Sequence, residues 1–570
     1  MLEAPPAASA ARRVLHKPLV ACVLLFLVYL ALSFANDPRG TLGTDSGGKL
    51  ATLHAMDRSG QLAPEVGYWA ARLDPHGDLH PLFYTSRVGD RWVNVTTLPM
   101  VYAGWPLYQL AGDRGVVALP MLGAVLCALA ARRLARLLGG GADRGGAGGG
   151  AGGGAGWSAF WAVGLATPVA VYALDFWEHT PGLACMLFGV GVLYEVAVVR
   201  PRARAAFVGG ALFGLAATMR TEALVYVAIA TAAVLALRLL RRDRVLQVLG
   251  LGVATISGVV APLVANQLFE RLVLGSSLRS GRAAGTAGAA GSGLTGRVGE
   301  AFITTFGVNG FPPPRDVVAG VVVVALVGLG VGALAFRRAP NMLAGVGALS
   351  SAGVVLVARF ADGLGFLPGM LVASPLAVVG VVYGWRDRRS IGPLVVAGTA
   401  LPVVWFFQYQ GGARPQWGGR YVLLSGVLLA VVGVVVLRHR RVALVAALAL
   451  SLVVTALGVG WLSERSHAVA DGMSALVARH DQAVVSTDAH LLREGGAFYT
   501  PDRHWLTATT HRDLRRAADI VARAGDRELA VVGPADEKLP RRLGGFTRRG
   551  TRTLEVLPGN PLSVVTYLRE

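Results

Sequence analysis

Charge is what this chain has least of. Asp, Glu, Lys and Arg make up 15% of its 570 residues, against about 25% in soluble globular domains. With 54% apolar residues and a mean hydropathy of +0.53, the chain takes the bilayer as its main solvent. Acids are scarcer than bases, 34 against 54, which leaves a formal net charge of +20. That excess forms no single patch. It falls in short clusters between apolar runs, the distribution that membrane topology produces, and this argues against nucleic acid as a partner. Cysteine is scarce too. Cys22, Cys127 and Cys185 all lie inside apolar runs, which excludes a disulfide framework and a metal-binding spacing. A small-residue cleavage site is missing after Arg12, Arg13, Lys17 and the apolar run that follows. The run reads as an uncleaved first span. "GAAGSGLTG" lacks the Gly-Lys-Ser/Thr ending of a phosphate loop.

What is present is a series of apolar runs with basic flanks. Clusters stand at Arg132/Arg133/Arg136/Arg144, Arg200/Arg202/Arg204, Arg238/Arg241/Arg242/Arg244, Arg337/Arg338, Arg386/Arg388/Arg389 and Arg438/Arg440/Arg441. Placing each in the cytoplasm forces a hairpin of two spans between neighbours. The result is about 13 spans in a multi-pass cell-membrane protein, with the N-terminus inside and the C-terminus outside. Residues 205–240 are apolar except at Arg220-Thr221-Glu222, so the chain is expected to turn there below the outer surface. Residues 139–156 read as a flexible Gly/Ala linker. Residues 266–315 read as a long outer loop. The expected domains are a transmembrane domain, 1–461, and a small extracytoplasmic α/β domain, 462–570. The latter has strands at Gln482–Ser486, Glu528–Gly533, Thr553–Leu557 and Leu562–Leu568 around a helix at His511–Ala524.

On this topology the outer side collects acids, isolated arginines and aromatics. "GTDSGGK" carries Asp45 and Lys49 just after the first span. "YALDFWEHT" carries Asp175, Glu178 and His179, which share one face if the segment is helical. Arg220 and Glu222 flank the third site, and "GGARPQWGGRY" brings Arg420 and Tyr421 to the start of a span. Singly, each has a structural explanation: a solvated acid, a helix cap, a self-neutralising pair, a snorkelling arginine. Together they describe an outward cavity. Arginine offers a bidentate fork to phosphate, and a carboxylate offers a base to a hydroxyl. A cavity open to lipid suits a phosphate on a hydrocarbon tail. Cation proximity would lower the pKa of Asp45, so Lys49 is expected to point to the phosphate and not to Asp45. Trp505 reads as a core residue of the C-terminal domain rather than a sugar platform.

Over residues 18–461 these segments resemble the GT-C superfamily of membrane glycosyltransferases, which includes protein O-mannosyltransferases, aminoarabinose transferases and arabinofuranosyltransferases. "GTDSGGK" and "YALDFWEHT" supply its two loop acids. "GALFGLAATMRTEALVY" is similar to its "GLA…R-P-E" segment, with Thr221 where Pro is common. "NQLFERLVLGSSLRSG" and "GGARPQWGGRYVLL" resemble two later segments, with Gly419 in place of Pro. The resemblance implies inverting sugar transfer from a polyprenyl-phosphate donor to a hydroxyl of an extracytoplasmic glycan, lipid or protein. Asp45 would accept the proton. Arg420, with Arg220 and Lys49, would stabilise the leaving phosphate. Asp175 and Glu178 would bind sugar hydroxyls or orient the acceptor, and Glu222 and Tyr421 would complete the substrate site. Some superfamily members use a divalent cation, but no closed ligand set is visible. Two competing readings are a lipid-linked sugar flippase, which needs polar residues throughout the spans, and a scaffold that keeps the fold without the chemistry.

Overall fold

The computed structural model describes residues 17–41, 43–140, 151–275, 278, 301, 304–305, 367–407, 417–478, 483–557 and 560–570. The Arg337/Arg338 cluster, Arg144 and most of the expected 266–315 loop lie outside them. The chain opens with α1 (Pro18–Ser33) and α2 (Thr44–Ser59), then a hairpin of β1 (Thr85–Val88) and β2 (Arg91–Asn94). Next come α3 (Leu98–Val116), α4 (Ala118–Leu138), α5 (Ala151–Leu165), the single turn α6 (Val169–Tyr172) and α7 (His179–Val198). α8 (Ala203–Met219), α9 (Glu222–Leu240) and α10 (Val245–Leu274) follow, and then α11 (Pro375–Tyr383), α12 (Ile391–Phe407), α13 (Leu423–Leu437) and α14 (Arg441–Val477).

Among the described residues, six helices are long and apolar enough to cross a membrane: α4, α7, α9, α10, α13 with the turn before it, and α14. α1, α8 and α12 are shorter apolar helices. Their outer faces carry exposed Leu, Val and Ile, as α10 does at Leu246, Val253 and Ile256. In water this surface would be costly, and in lipid it is matched. Lipid gives no hydrophobic drive between helices, so close packing must hold them together. α8 and α10 meet through glycine. A Cβ on Gly258 would collide with the Phe207 carbonyl oxygen, and one on Gly210 with that of Thr255.

The chain turns at Arg220 as the sequence suggests. Arg220 is extended (φ −137°, ψ 112°) between α8 and α9. Elsewhere local expectations are corrected. The helix α10 runs on to Leu274, into the expected loop. The stretch expected as linker becomes helical from Ala151. Residues 173–178 are not helical, so Asp175, Glu178 and His179 do not share a helix face; Glu178 is the N-cap of α7.

The C-terminal part is a six-stranded sheet in the order β4-β3-β5-β8-β7-β6. It is built from β3 (Ala483–Ser486), β4 (Trp505–Thr507), β5 (Glu528–Pro534), β6 (Arg542–Leu543), β7 (Phe546–Leu557) and β8 (Asn560–Arg569). β3 pairs in parallel with β4 and β5; β5/β8, β8/β7 and β7/β6 are antiparallel. α15 (Leu491–Glu494) follows β3, and α16 (His511–Ala524) follows β4. α16 begins where Thr510 Oγ1 accepts from the Asp513 amide, and it buries Leu514, Ala517, Ile520 and Val521. The position expected for the domain boundary, 461/462, lies inside α14, which passes through it unbroken. The first loop joins the sheet domain in one core: Val66, Tyr68, Leu79, Leu82 and Trp92 pack with Val485, Trp505, Val531 and Tyr567.

Candidate functional site

The site lies where the helix bundle meets this second body. α2 starts at Thr44, so Asp45 and Lys49 stand one turn apart on its first two turns. The helix is not evident from sequence because Gly47 and Gly48 interrupt it. Packing explains Gly47: a Cβ there would strike the Arg493 carbonyl oxygen, and a Cβ on Gly496 would strike the Gly47 carbonyl oxygen. The two backbones are in direct contact, and α15 is thereby held against α2.

A chain of ion pairs runs inward from α2. Lys49 Nζ donates to Glu178 Oε2 at 2.5 Å. The other Glu178 oxygen, Oε1, accepts from Arg220 at 3.4 Å, and Arg220 Nε donates to Glu222 Oε1 at 2.8 Å. All four side chains are at most 6% exposed. Alternating signs let each buried charge be compensated by a neighbour, without which burial would cost several kcal/mol per ion, roughly. Lys49 therefore faces Glu178. Its expected orientation toward a phosphate is replaced by a role inside this chain. Beside it Ser46 Oγ donates to Asp175 Oδ2 at 2.5 Å.

Arg420 and Tyr421 close the far side. The Arg420 guanidinium lies 4.6 Å from the Tyr421 ring centroid and 5.5 Å from that of Trp177. The Arg220 guanidinium lies 4.8 Å from the Tyr421 ring. Tyr421 is thus held by two guanidiniums, a favourable cation–π arrangement when desolvated. Next to them a small crevice is lined by His179, Arg220, Glu222, Arg420 and Tyr421 on its polar side and by Leu183, Met186, Leu423 and Leu424 on its apolar side. Four buried polar atoms on this wall have no hydrogen-bond partner among the described residues: Arg220 Nη2, Glu222 Oε2 and both ring nitrogens of His179. Unsatisfied buried polar groups are rare and ask for an explanation.

Asp45 sits above the chain with 37% of its side chain exposed. Burial raises its pKa, but the charges of Arg493, Arg420, Lys49 and Arg220 outweigh that and hold the carboxyl down to about 2. Arg493 is the residue that sequence reasoning missed. It is 2% exposed, it lies 3.8 Å from Asp45 Oδ1, and its Nη2 donates to the Val95 carbonyl at 3.0 Å. In the sequence it is one arginine in a domain full of them, and nothing in "LLREGG" separates it from the exposed ones. Trp505 is buried in the core of the second body, as expected, with its carbonyl accepting from Trp69 Nε1 at 2.9 Å. Among the described residues no group of three or more His, Cys, Asp or Glu side chains is placed to hold a metal ion.

All eight side chains singled out from the sequence, Asp45, Lys49, Asp175, Glu178, Arg220, Glu222, Arg420 and Tyr421, are therefore brought to one place. No family model matches the chain, and no curated protein matches it. The chain is similar to solved structures of ArnT from Cupriavidus metallidurans, in the apo state and bound to undecaprenyl phosphate. Each is 15% identical with a TM-score of 0.38, over 95% of this chain and 97% of the other.

Proposed function

We propose that this chain is a polyprenyl-phosphate-dependent glycosyltransferase that moves a sugar to a hydroxyl acceptor at the outer face of the membrane, with inversion. The observation that carries the reading is the crevice wall. Arg220 presents a buried Nη2 with no acceptor among the described residues, beside Arg420, and Leu183, Met186, Leu423 and Leu424 form the apolar side of the same small crevice. Two guanidiniums beside an apolar wall suit a phosphate on a hydrocarbon chain.

In this reading the phosphate of the donor lies against Arg220 and Arg420. As the bond from the anomeric carbon to the phosphate oxygen breaks, negative charge grows on the phosphate. Fixed cations in a water-poor site stabilise that charge without reorganising. Glu178 and Glu222 hold Arg220 in place from two sides, and Lys49 holds Glu178. Asp45 faces the acceptor hydroxyl and takes its proton as the oxygen bonds to the anomeric carbon. A carboxylate held near pKa 2 is a weak base for an unactivated alcohol. The transfer is therefore late, when the attacking oxygen has become acidic. Until then Asp45 orients the hydroxyl and offsets positive charge on the sugar. Asp175, which accepts from Ser46, binds a sugar hydroxyl in this reading.

The test is transfer from radiolabelled polyprenyl-phosphate sugars by purified protein. Asp45→Asn is expected to lower turnover by about 10²–10⁴-fold while donor binding and membrane insertion stay normal. Turnover by the Asn variant at the wild-type rate would refute the assignment of Asp45.

A further inference from the structure

Far from this site the chain makes a second concentration of charge. Residues 538–552 contain Lys538, Arg541, Arg542, Arg548, Arg549 and Arg552 and no acid, and all six side chains are exposed. β6 and β7 fold the segment into a tight hairpin, with Arg542 opposite Thr547 and Leu543 opposite Phe546. Leu543 and Phe546 are buried, which pins the hairpin to the core and leaves its arginines outside. An open groove results, lined by Arg541, Arg542, Thr547, Arg548, Arg549 and Gly550. One carboxylate approaches it: Glu570 accepts from Thr547 Oγ1 at 2.6 Å and lies 3.9 Å from Arg542. A single acid does not balance the four arginines that line the groove, so it carries a net positive charge.

Sheet topology tells which end of the domain the groove occupies. β3 leads directly into α15, which touches α2 at Asp45, so the C-terminal ends of β3 and its parallel neighbour β5 face the bundle. β8 runs antiparallel to β5, with Leu562 beside Pro534 and Leu568 beside Glu528. β7 returns from it, with Phe546 beside Arg569. The groove is thus at the end of the sheet turned away from the bundle. The run of β8 from Leu562 to Arg569 spans about 23 Å at about 3.3 Å per residue. That separation exceeds the Debye length of about 8 Å at physiological ionic strength, so the charge of lipid headgroups is screened there.

From this placement we infer that the β6–β7 hairpin is a binding site for an anionic polysaccharide, one carrying carboxylate or phosphate groups. The choice of a polysaccharide, and its assignment as the acceptor strand, rest on the transferase reading above; the affinity of the groove for a polyanion does not. Exposed arginine forks take carboxylate or phosphate oxygens in pairs, and the field of six cations raises the local concentration of a polyanion. The occupant lies one sheet length from Asp45, which suits a polymer that reaches both places.

The experiment uses the full chain in nanodiscs of neutral phosphatidylcholine, with polygalacturonate as the probe and dextran as its uncharged control. Wild-type protein is expected to bind polygalacturonate and not dextran, with affinity falling as salt rises. R541Q/R542Q/R548Q/R549Q is expected to lose at least tenfold in affinity, while the corresponding four-lysine variant keeps most of it. Equal thermal unfolding of the two variants separates binding from folding. Asp45→Asn is expected to bind polygalacturonate as wild type does, so failure of the transferase reading leaves this result standing. Undiminished binding by the glutamine variant would overturn the inference. So would hairpin-dependent binding to phosphatidylglycerol vesicles with none to polygalacturonate.

Discussion

The two bodies of this molecule are held together by opposite means. The bundle is Ala, Val, Leu and Gly, and its helices meet where side chains are smallest, as at Gly258 against Phe207 and Gly210 against Thr255. The outer body, meaning the sheet domain that lies outside the helix bundle, is packed by aromatic and β-branched residues, with Trp92, Tyr499, Trp505, Val531 and Tyr567 in one core. The solvents explain the contrast. Water drives the outer body together in proportion to apolar area. Lipid supplies no such drive, so helices gain by approaching closely. Polar chemistry is concentrated where the two regimes meet. There the bundle contributes buried charges and the outer body contributes Arg493.

Opposite substitutions should therefore damage the two bodies. Trp505→Ala removes one of the two tryptophans of the outer core and is expected to cost about 3–5 kcal/mol, read as loss of the sheet signal in circular dichroism on heating. Unchanged melting of that variant would break the comparison. In the bundle the harmful direction is small to large. Gly258→Leu is expected to cost about 1–3 kcal/mol or more, seen as early unfolding in detergent, while Ile256→Leu on the lipid-facing side of the same helix changes little.

At the joint the readout is pH rather than melting. The folded pKa of Asp45 is depressed to about 2, so its charge contributes stability above its ordinary carboxylate pKa. That contribution is lost as the pH falls toward about 2. Arg493→Gln removes the largest of the lowering charges, and the acid limb of the turnover profile should move to higher pH. A limb that stays in place would show that Arg493 does not act through Asp45. The smallest effect concerns the outer body alone. Thr510→Ala removes the cap of α16 and should cost about 1 kcal/mol in urea unfolding, with donor binding unchanged.

Legibility followed the same division. Asp45, Asp175, Arg220 and Arg420 stand out because each is a charge beside an apolar run, where a charge needs a reason. The turn at Arg220 and the helix at His511–Ala524 were readable from charge placement and periodicity. Arg493 was not, because it lies among many arginines in a water-facing domain. The first half of β7, "FTRRGTRT", hides its strand because both faces carry polar residues there. α2 hides its helix because its glycines serve contact with α15 rather than helix propensity. Nor does local sequence disclose that the first loop and the sheet share a core, since that pairing joins residues such as Trp69 and Trp505 across 436 positions.

One helix belongs to both bodies. The 37 residues of Arg441–Val477 form a single helix, roughly 55 Å long at about 1.5 Å per residue. Leu444, Val454 and Trp461 seat its first part in the bundle core, and Val469, Met473 and Leu476 seat its last part in the core of the sheet. A single unbroken helix seated in both cores leaves no hinge along its length, so the sheet and the bundle keep one angle and Arg493 stays in register with Asp45.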